Sequence, residues 1–370
     1  MKKIKSIYLL LVFLLVSSIL PSPAAAQDNS PSGESLEAVV TNILEEKEIK
    51  FGEEKQLYQK LKLSVTRGSL EGQSITVENG NLPSANVVKY KKGDKLIVEH
   101  SKDFEGNDVF FISDYVRRDA LLWLFIIFIA IAIVVGKIWG ITSLLGMSFS
   151  FLVIFKFILP QIISGSDPVF IAIIGSLFII PVTFYLSHGF NKKTHVAIAS
   201  TAIALVITGI LANIFVEAAK LTGFASEEAG FLQVARGGRV NIKGLLLAGI
   251  IIGALGILDD VTVSQASVVQ QLKETASKLK FSELYKRAMK VGQDHVSSMV
   301  NTLVLVYTGA AMPLLLLFID NPRPFSEVIN YEIIADEIVR TLVGSIGLIA
   351  AVPITTFLTV LTLGAKLKEK

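Results

Sequence analysis

Long runs of apolar residues alternate with short polar stretches over the last two thirds of the chain, whereas the first third is polar and rich in turn signals. A helix needs roughly 20 apolar residues to cross a bilayer, so these runs predict transmembrane helices. We predict about seven spans, near residues 120–135, 141–159, 168–186, 196–216, 244–258, 299–318 and 342–363. The predicted fold is an α-helical polytopic membrane bundle over residues 119–370.

The first 26 residues have the pattern of an export signal. Lys2, Lys3 and Lys5 precede a short apolar run over 7–20, and three alanines follow at 24–26. A basic start, an apolar middle and small residues at the end are typical of a cleaved signal peptide. An uncleaved signal anchor is the alternative, and in either case we expect the next segment outside the cytoplasm.

Residues 27–118 alternate between apolar and polar positions in short segments, namely 61–65, 75–77, 95–99 and 108–113. Glycine and asparagine clusters separate these segments and predict turns. The pattern predicts a small extracytoplasmic β-rich domain, a barrel or sandwich of about five antiparallel strands. An oligosaccharide-type OB barrel is one candidate for its fold.

Composition supports a membrane protein and excludes several kinds of site. The chain is 52% hydrophobic and 18% charged, and a soluble protein has about 25% charged residues. Its formal charge of +3 is too small to indicate nucleic acid as a partner. The absence of cysteine excludes disulfides and thiolate metal sites. We find no catalytic motif, and we predict no enzyme activity, no metal and no cofactor.

The distribution of basic residues predicts the orientation. With the β-rich domain outside, seven spans place the C-terminus in the cytoplasm. The predicted inner segments then hold 12 Lys and Arg residues, and the predicted outer loops hold 6, or 8 if Arg117 and Arg118 are included. This bias agrees with the excess of basic residues that cytoplasmic loops carry.

A line of small and polar residues follows one helical face from the fifth predicted span onward. Its members are Gly249, Gly253, Gly256, Asp260, Ser264, Ser267 and Gln271. Glycines let a neighbouring helix approach closely, and acidic residues at membrane depth are usually functional. Asp259 lies to one side of this line. In an alternative interpretation, Asp260 begins a cytoplasmic helix, and Thr262 with Gln265 forms its capping box.

The sixth predicted span begins with Asp294, Ser298 and Asn301 at helical spacing. The connector 262–291 is amphipathic and basic, and it would bring the two acidic helix ends to the same side of the membrane. It would lie on the anionic inner leaflet or bind a cytoplasmic protein partner. Our transport or ion-site candidates are Asp259, Asp260, Ser264, Gln265, Asp294, Ser298 and Asn301. In the last span, Gly344 and Gly347 are predicted to pack against another helix.

Three ordered motifs carry a resemblance to a known family. They are GILDDVTVSQASVVQQL, GQDHVSSMVNTLVLVYTGAAMPLLLL and VGSIGLIAAVPITTFLTVL. Together they resemble the YibE/F-like family of bacterial multi-pass membrane proteins, over most of residues 85–365. The resemblance implies a location in the bacterial cytoplasmic membrane. It implies no mechanism and assigns no catalytic residue.

These observations favour two functions. The first is a transporter or permease for an unknown small solute or ion, with an acidic site on the cytoplasmic side. The second is a non-transporting assembly or sensor protein, whose β-rich domain binds an envelope ligand. An intramembrane aspartyl hydrolase using Asp260 and Asp294 is disfavoured, because both acids are expected at the inner surface.

Overall fold

The computed structural model describes residues 34–51, 54–84, 86–319 and 323–364, and it divides into the compact units Met1–Ile131 and Ala132–Lys370. The predicted signal peptide, residues 1–26, lies outside the described residues.

The first unit contains a sheet of five antiparallel strands. They are β1 (Glu34–Phe51), β2 (Glu54–Arg67), β3 (Ser74–Asn79), β4 (Lys95–Lys102) and β5 (Asp108–Tyr115). Their order is β3-β2-β1-β4-β5, and the outer strands β3 and β5 also approach each other. The sheet is therefore curled, as in a partly open five-stranded barrel. The predicted small β-rich domain is confirmed.

Alternating burial shows why strands such as β3 and β4 are predictable from the sequence. Ile75 and Val77 of β3 and Leu96 and Val98 of β4 are buried, and residues between them face outward. The pattern does not predict β1, because the charged residues 45–48 hide its alternation. Pairing of β1 with both β2 and β4 supplies its hydrogen bonds.

A buried glutamine fastens the segment between β3 and β4 to the sheet. Gln59 on β2 donates to the carbonyl of Tyr90 at 3.0 Å and accepts from the backbone N–H of Tyr90 at 2.9 Å. Its amide also donates to the carboxylate of Glu46 at 2.9 Å. These bonds satisfy the polar groups of a side chain that has no contact with water.

Helices make up the rest of the described chain. In order they are α1 (Arg118–Val153), α2 (Leu159–Ile163), α3 (Pro168–His188), α4 (Lys192–Ala218), α5 (Glu227–Ala235), α6 (Ile242–Thr275), α7 (Phe281–Ala310), α8 (Met312–Ile319), α9 (Phe325–Val328) and α10 (Glu332–Gly364). A single π-helical turn, Ile154–Ile158, joins α1 to α2.

Among the described residues, five helical segments are long and apolar enough to cross a membrane. They are Arg118–Ile163, Pro168–His188, Lys192–Ala218, Ile242–Thr275 and Glu332–Leu363. These apolar helices identify a membrane protein. The larger count of about seven spans stays a prediction.

A sharp turn divides α1. Lys137 has a φ of 51° and a ψ of −129°, which no α-helical residue adopts. Three residues later, a Cβ on Gly140 would lie 2.0 Å from the carbonyl oxygen of Ala132. The backbone therefore folds back closely here, and the turn falls between the predicted spans 120–135 and 141–159.

The core of the second unit is formed by α4, α6 and α10, which pack on one another. A Cβ on Gly347 of α10 would lie only 2.0 Å from the hydroxyl oxygen of Thr208 on α4. The absence of a side chain at Gly347 thus sets the spacing of these two helices, as small residues do in membrane bundles.

The helix that contains the predicted fifth span extends well beyond that span. The helix α6 does not end near Leu258, but continues through both aspartates to Thr275. The segment 257–275 contains neither glycine nor proline, so nothing in it breaks the helix. The predicted connector 262–291 is accordingly the second half of α6, a turn, and the start of α7 at Phe281.

Candidate functional site

Asp259 and Asp260 lie at the middle of the 34-residue helix α6. A contact with α4 shows which part of that helix lies beside the aspartates. The hydroxyl of Thr262, close to them on α6, shares a hydrogen bond of 2.7 Å with the hydroxyl of Thr201 on α4. Thr201 is well inside the 27-residue α4. The interpretation in which Asp260 begins a helix is therefore wrong, because both acids lie within one continuous helix that packs on α4 at this point.

Four buried polar side chains lie in the bundle interior just beyond the aspartates. We call this set the polar cluster, and its members are Thr201, Thr262, Gln265 and Thr356. Thr262 donates to the carbonyl of Asp259 at 3.2 Å, so Thr201 donates to Thr262. The amide of Gln265 donates to the hydroxyl of Thr356 at 2.7 Å. All four side chains are at most 1% exposed.

Gln265 also ties α7 to this cluster. Its amide donates to the carbonyl of Ala288 at 3.1 Å. A Cβ on Gly292 would lie 3.0 Å from both polar atoms of this amide and 2.5 Å from a methyl of Val352. Gly292 therefore makes the room that the amide occupies, and Gln265 joins α6, α7 and α10.

The contacts of α7 with α6 also set the level of the other predicted site residues. Residue 265 faces 288–292, and residue 253 faces Tyr307, so the two helices are antiparallel. In this register Asp260 is at about the level of Ser298, and Asp294 is nearer the level of Ser264. Asp260 and Ser298 are both exposed on the single chain.

The seven predicted site residues divide by burial. Gln265 is buried, Asp259 and Ser264 are half-buried, and Asp260, Asp294, Ser298 and Asn301 are exposed. The carboxylates of Asp259, Asp260 and Asp294 form no hydrogen bond and no ion pair with any described residue. The acids are thus available to a ligand, a partner or water.

The end of α3 brings a basic neighbour to the acids. His188, the last residue of α3, is close enough to Asp260 and to Lys193 to interact with both electrostatically. The linear sequence does not indicate this neighbourhood, because about 70 residues separate His188 from Asp260. Packing of α3 against α6 creates it.

The glycines predicted to pack against helices have different environments. Gly249, Gly253 and Gly256 are all exposed. An added Cβ would meet no atom within 4 Å at Gly249 or Gly256, and only the Tyr307 hydroxyl at 3.8 Å from Gly253. Within the single chain this face is therefore open, contrary to the expected close packing.

Of the two glycines predicted to pack on the last span, Gly347 is in close contact with Thr208. Gly344 is buried, but an added Cβ would meet no atom within 4 Å. The difference arises because only one of the two positions faces a neighbouring helix at close range.

The polar cluster has a sequence signal that periodicity can detect. Thr194, Thr201 and Thr208 recur every seven residues along α4, and all three are fully buried. A hydroxyl repeated on one face of an otherwise apolar helix indicates an interior polar seam. No sequence pattern marks Thr356 and Gly292, because their role depends on the position of the Gln265 side chain in the folded chain.

Chemically, the arrangement offers hydroxyl and amide groups inside the bundle and carboxylates on its open side. Within the described residues, no three His, Cys, Asp or Glu side chains converge to hold a metal ion. Hydroxyl, amide and carboxylate oxygens are suited to polar solutes and to hard cations.

Comparison with known proteins gives the family. A family model described as YibE/F-like protein matches residues 124–365, about two thirds of the chain. The match covers the helical part and all the site residues described above. Neither the curated proteins nor the solved structures contain a match. The chain therefore belongs to the YibE/F-like family.

Proposed function

We propose that the protein is a membrane transporter or permease that moves a small polar solute or an ion. The observation that carries the proposal is the polar cluster, which lies inside helices apolar enough to span a bilayer, beside the pair Asp259 and Asp260. Ionisable residues within apolar membrane helices are costly and usually mark a functional site.

Buried hydroxyl groups without a hydrogen-bond partner favour a solute pathway over a role in helix packing alone. The hydroxyl oxygens of Thr194 on α4 and Thr355 on α10 are buried without a hydrogen-bond partner. Both helices contribute to the polar cluster. Buried polar groups are normally paired, and a missing partner calls for water, an ion or a ligand.

The proposed topology has the β-rich domain outside, after a signal peptide, and the C-terminus in the cytoplasm. Seven crossings follow if α1 spans twice, once on each side of Lys137, and if α7 and α8 together supply the span near 299–318. We place the protein in the bacterial cytoplasmic membrane, and we assign it no catalytic residue.

Flux into liposomes tests the proposal. Purified full chain would be reconstituted, and flux would be followed with a trapped pH dye and with radioactive rubidium. We expect flux above that of empty liposomes, and we expect Asp259→Asn with Asp260→Asn to abolish it. Glu283→Gln, an exposed acid at the start of α7, is the matched control.

Wild-type flux in the double variant would refute a role for the aspartates in transport. Flux no greater than that of empty liposomes, for protons and for rubidium, would refute ion transport itself.

A second candidate function rests on the β-rich domain. Its curled five-stranded sheet has the shape of barrels that bind oligosaccharides, and it exposes Phe104 at the β4–β5 turn and Phe111 on β5. In this alternative the domain binds an envelope ligand, and residues 262–291 bind a cytoplasmic protein. Binding of peptidoglycan fragments that Phe104→Ser and Phe111→Ser weaken would support it.

A further inference from the structure

A cavity of about 510 Å³ lies where the start of α4 meets the end of α10. Its lining residues are Lys192, His195, Val196, Ala199, Leu358 and Thr362. The volume is within the usual range for ligand sites, about 300–1,000 Å³. The cavity is separate from the polar cluster, and no part of the proposed transport function uses it.

One side of the cavity is suited to an anion. Lys192 is exposed and forms no ion pair with any described residue. It is also the first residue of α4, where unpaired backbone N–H groups and the helix dipole favour negative charge. Thr362 adds a hydroxyl from α10.

His195 is held in one orientation beside Lys192. Its Nδ1 donates to the carbonyl of Asn191 at 2.6 Å, which leaves Nε2 free. Tyr185 and Phe190 contact the imidazole edge-on, with ring centroids 5.4 Å and 6.5 Å away. The Lys192 ammonium can bind a phosphate oxygen, and Nε2 of the fixed neutral imidazole can accept a hydrogen bond from a hydroxyl of the headgroup.

The other side of the cavity is apolar and continues along the bundle surface. Val196, Ala199 and Leu358 form this wall. Further along α4, away from Lys192, Ile203 is 43% exposed. Leu361, between Leu358 and Thr362 on α10, is 52% exposed. The cavity therefore presents a cationic end and an apolar track that follows the direction of the membrane helices.

We propose that this cavity binds the headgroup of an anionic phospholipid, with an acyl chain along α4 past Val196 and Ala199 towards Ile203. The cavity is at the end of the bundle, since the apolar run of α10 ends at Leu363, and lipid headgroups lie at that depth. The C-terminal tail 365–370 is a poor occupant, because its lysines at 366, 368 and 370 would repel Lys192.

Native mass spectrometry of the full chain tests this site. Protein would be taken from nanodiscs that contain equal amounts of phosphatidylglycerol and phosphatidylcholine, and the retained lipids would be counted. We expect wild type to retain phosphatidylglycerol selectively. Lys192→Ala with His195→Ala should reduce that retention about tenfold, which corresponds to about 1.4 kcal/mol.

Two further variants keep the test decisive. Ala199→Trp fills the apolar wall without touching the cationic end, and it should lower retention as well. Lys278→Ala removes an exposed, unpaired lysine in the α6–α7 turn and should leave retention unchanged.

The opposite results would overturn the proposal. Equal retention of both lipids, or wild-type retention in both cavity variants, would exclude a phospholipid site here. Displacement of the lipid by millimolar inorganic phosphate, without any preference for phosphatidylglycerol, would assign the cavity to a free anion instead.

Discussion

Replacing Gly292 by alanine should destabilise the helical bundle far more than one methyl group suggests. The new Cβ would lie 2.5 Å from a methyl of Val352 and 3.0 Å from the amide of Gln265. Overpacking of this kind costs about 1–3 kcal/mol. Displacing the amide also weakens two hydrogen bonds, each contributing about 0.6 kcal/mol in a membrane protein. Helix propensity returns up to about 1 kcal/mol when this glycine becomes alanine, so we expect a net loss of about 1–3 kcal/mol.

Gly256→Ala is the matched control, because it lies on the same bundle and its added Cβ meets no atom within 4 Å. Alanine there should be neutral or stabilising by up to about 1 kcal/mol, through helix propensity alone. The contrast between the two substitutions isolates the clash, since both remove one glycine from a helix and add one methyl.

The chain has no cysteine, so a single introduced cysteine reports unfolding. We would place it at Ala204, which is fully buried in α4, and measure its labelling by a maleimide as SDS is added. Labelling of Gly292→Ala should begin at a clearly lower SDS fraction than labelling of Gly256→Ala. If the two curves coincide, the contact of Gly292 with Gln265 does not contribute to stability.

Two further predictions concern separate parts of the molecule. In a double-mutant cycle of Thr201→Val and Thr262→Val, the same labelling assay should show a coupling energy of about 0.5–1.5 kcal/mol, and additive effects would mean that their hydrogen bond is not formed. In the β-rich domain, hydrogen bonds from Lys89 and, to a smaller extent, from Gln59 hold the pKa of Glu46 below its ordinary value. The ionised carboxylate therefore stabilises the folded domain at any pH above the pKa that Glu46 has in the unfolded chain. This stabilisation is lost as the pH falls through the pKa of Glu46 in the folded domain. Near-ultraviolet circular dichroism of the full chain should therefore show loosening below about pH 4, and Glu46→Gln should lose less on acidification than wild type does.

The end of a helix is difficult to predict from sequence, and α6 shows why. The pair Asp259 and Asp260 resembles the polar end of a span, so the pattern predicts that the fifth span ends near Leu258. In the structure the helix continues to Thr275, because its second half packs against α4, α7 and α10. Polarity at one position is a local property, whereas the end of a helix depends on neighbours that are distant in the sequence.

The site residues show the same limit. Helical spacing correctly groups Gly249, Gly253, Gly256 and Asp260 on one face, but it does not say whether that face is covered. In the single chain it is open. Gln265, which was open to interpretation as a capping residue, is instead the side chain that joins three helices.

The sequence by itself determined the class of protein, its family and its division into a β-rich and a helical part. Run length and alternation encode these features directly, since a bilayer needs long apolar segments and a half-buried strand needs alternate ones. Only the tertiary structure decided that the two aspartates lie within a continuous helix, next to a buried polar cluster and the end of α3. The register between helices decides this, and that register follows from contacts such as Thr201 with Thr262 and Gln265 with Thr356, which no local pattern specifies.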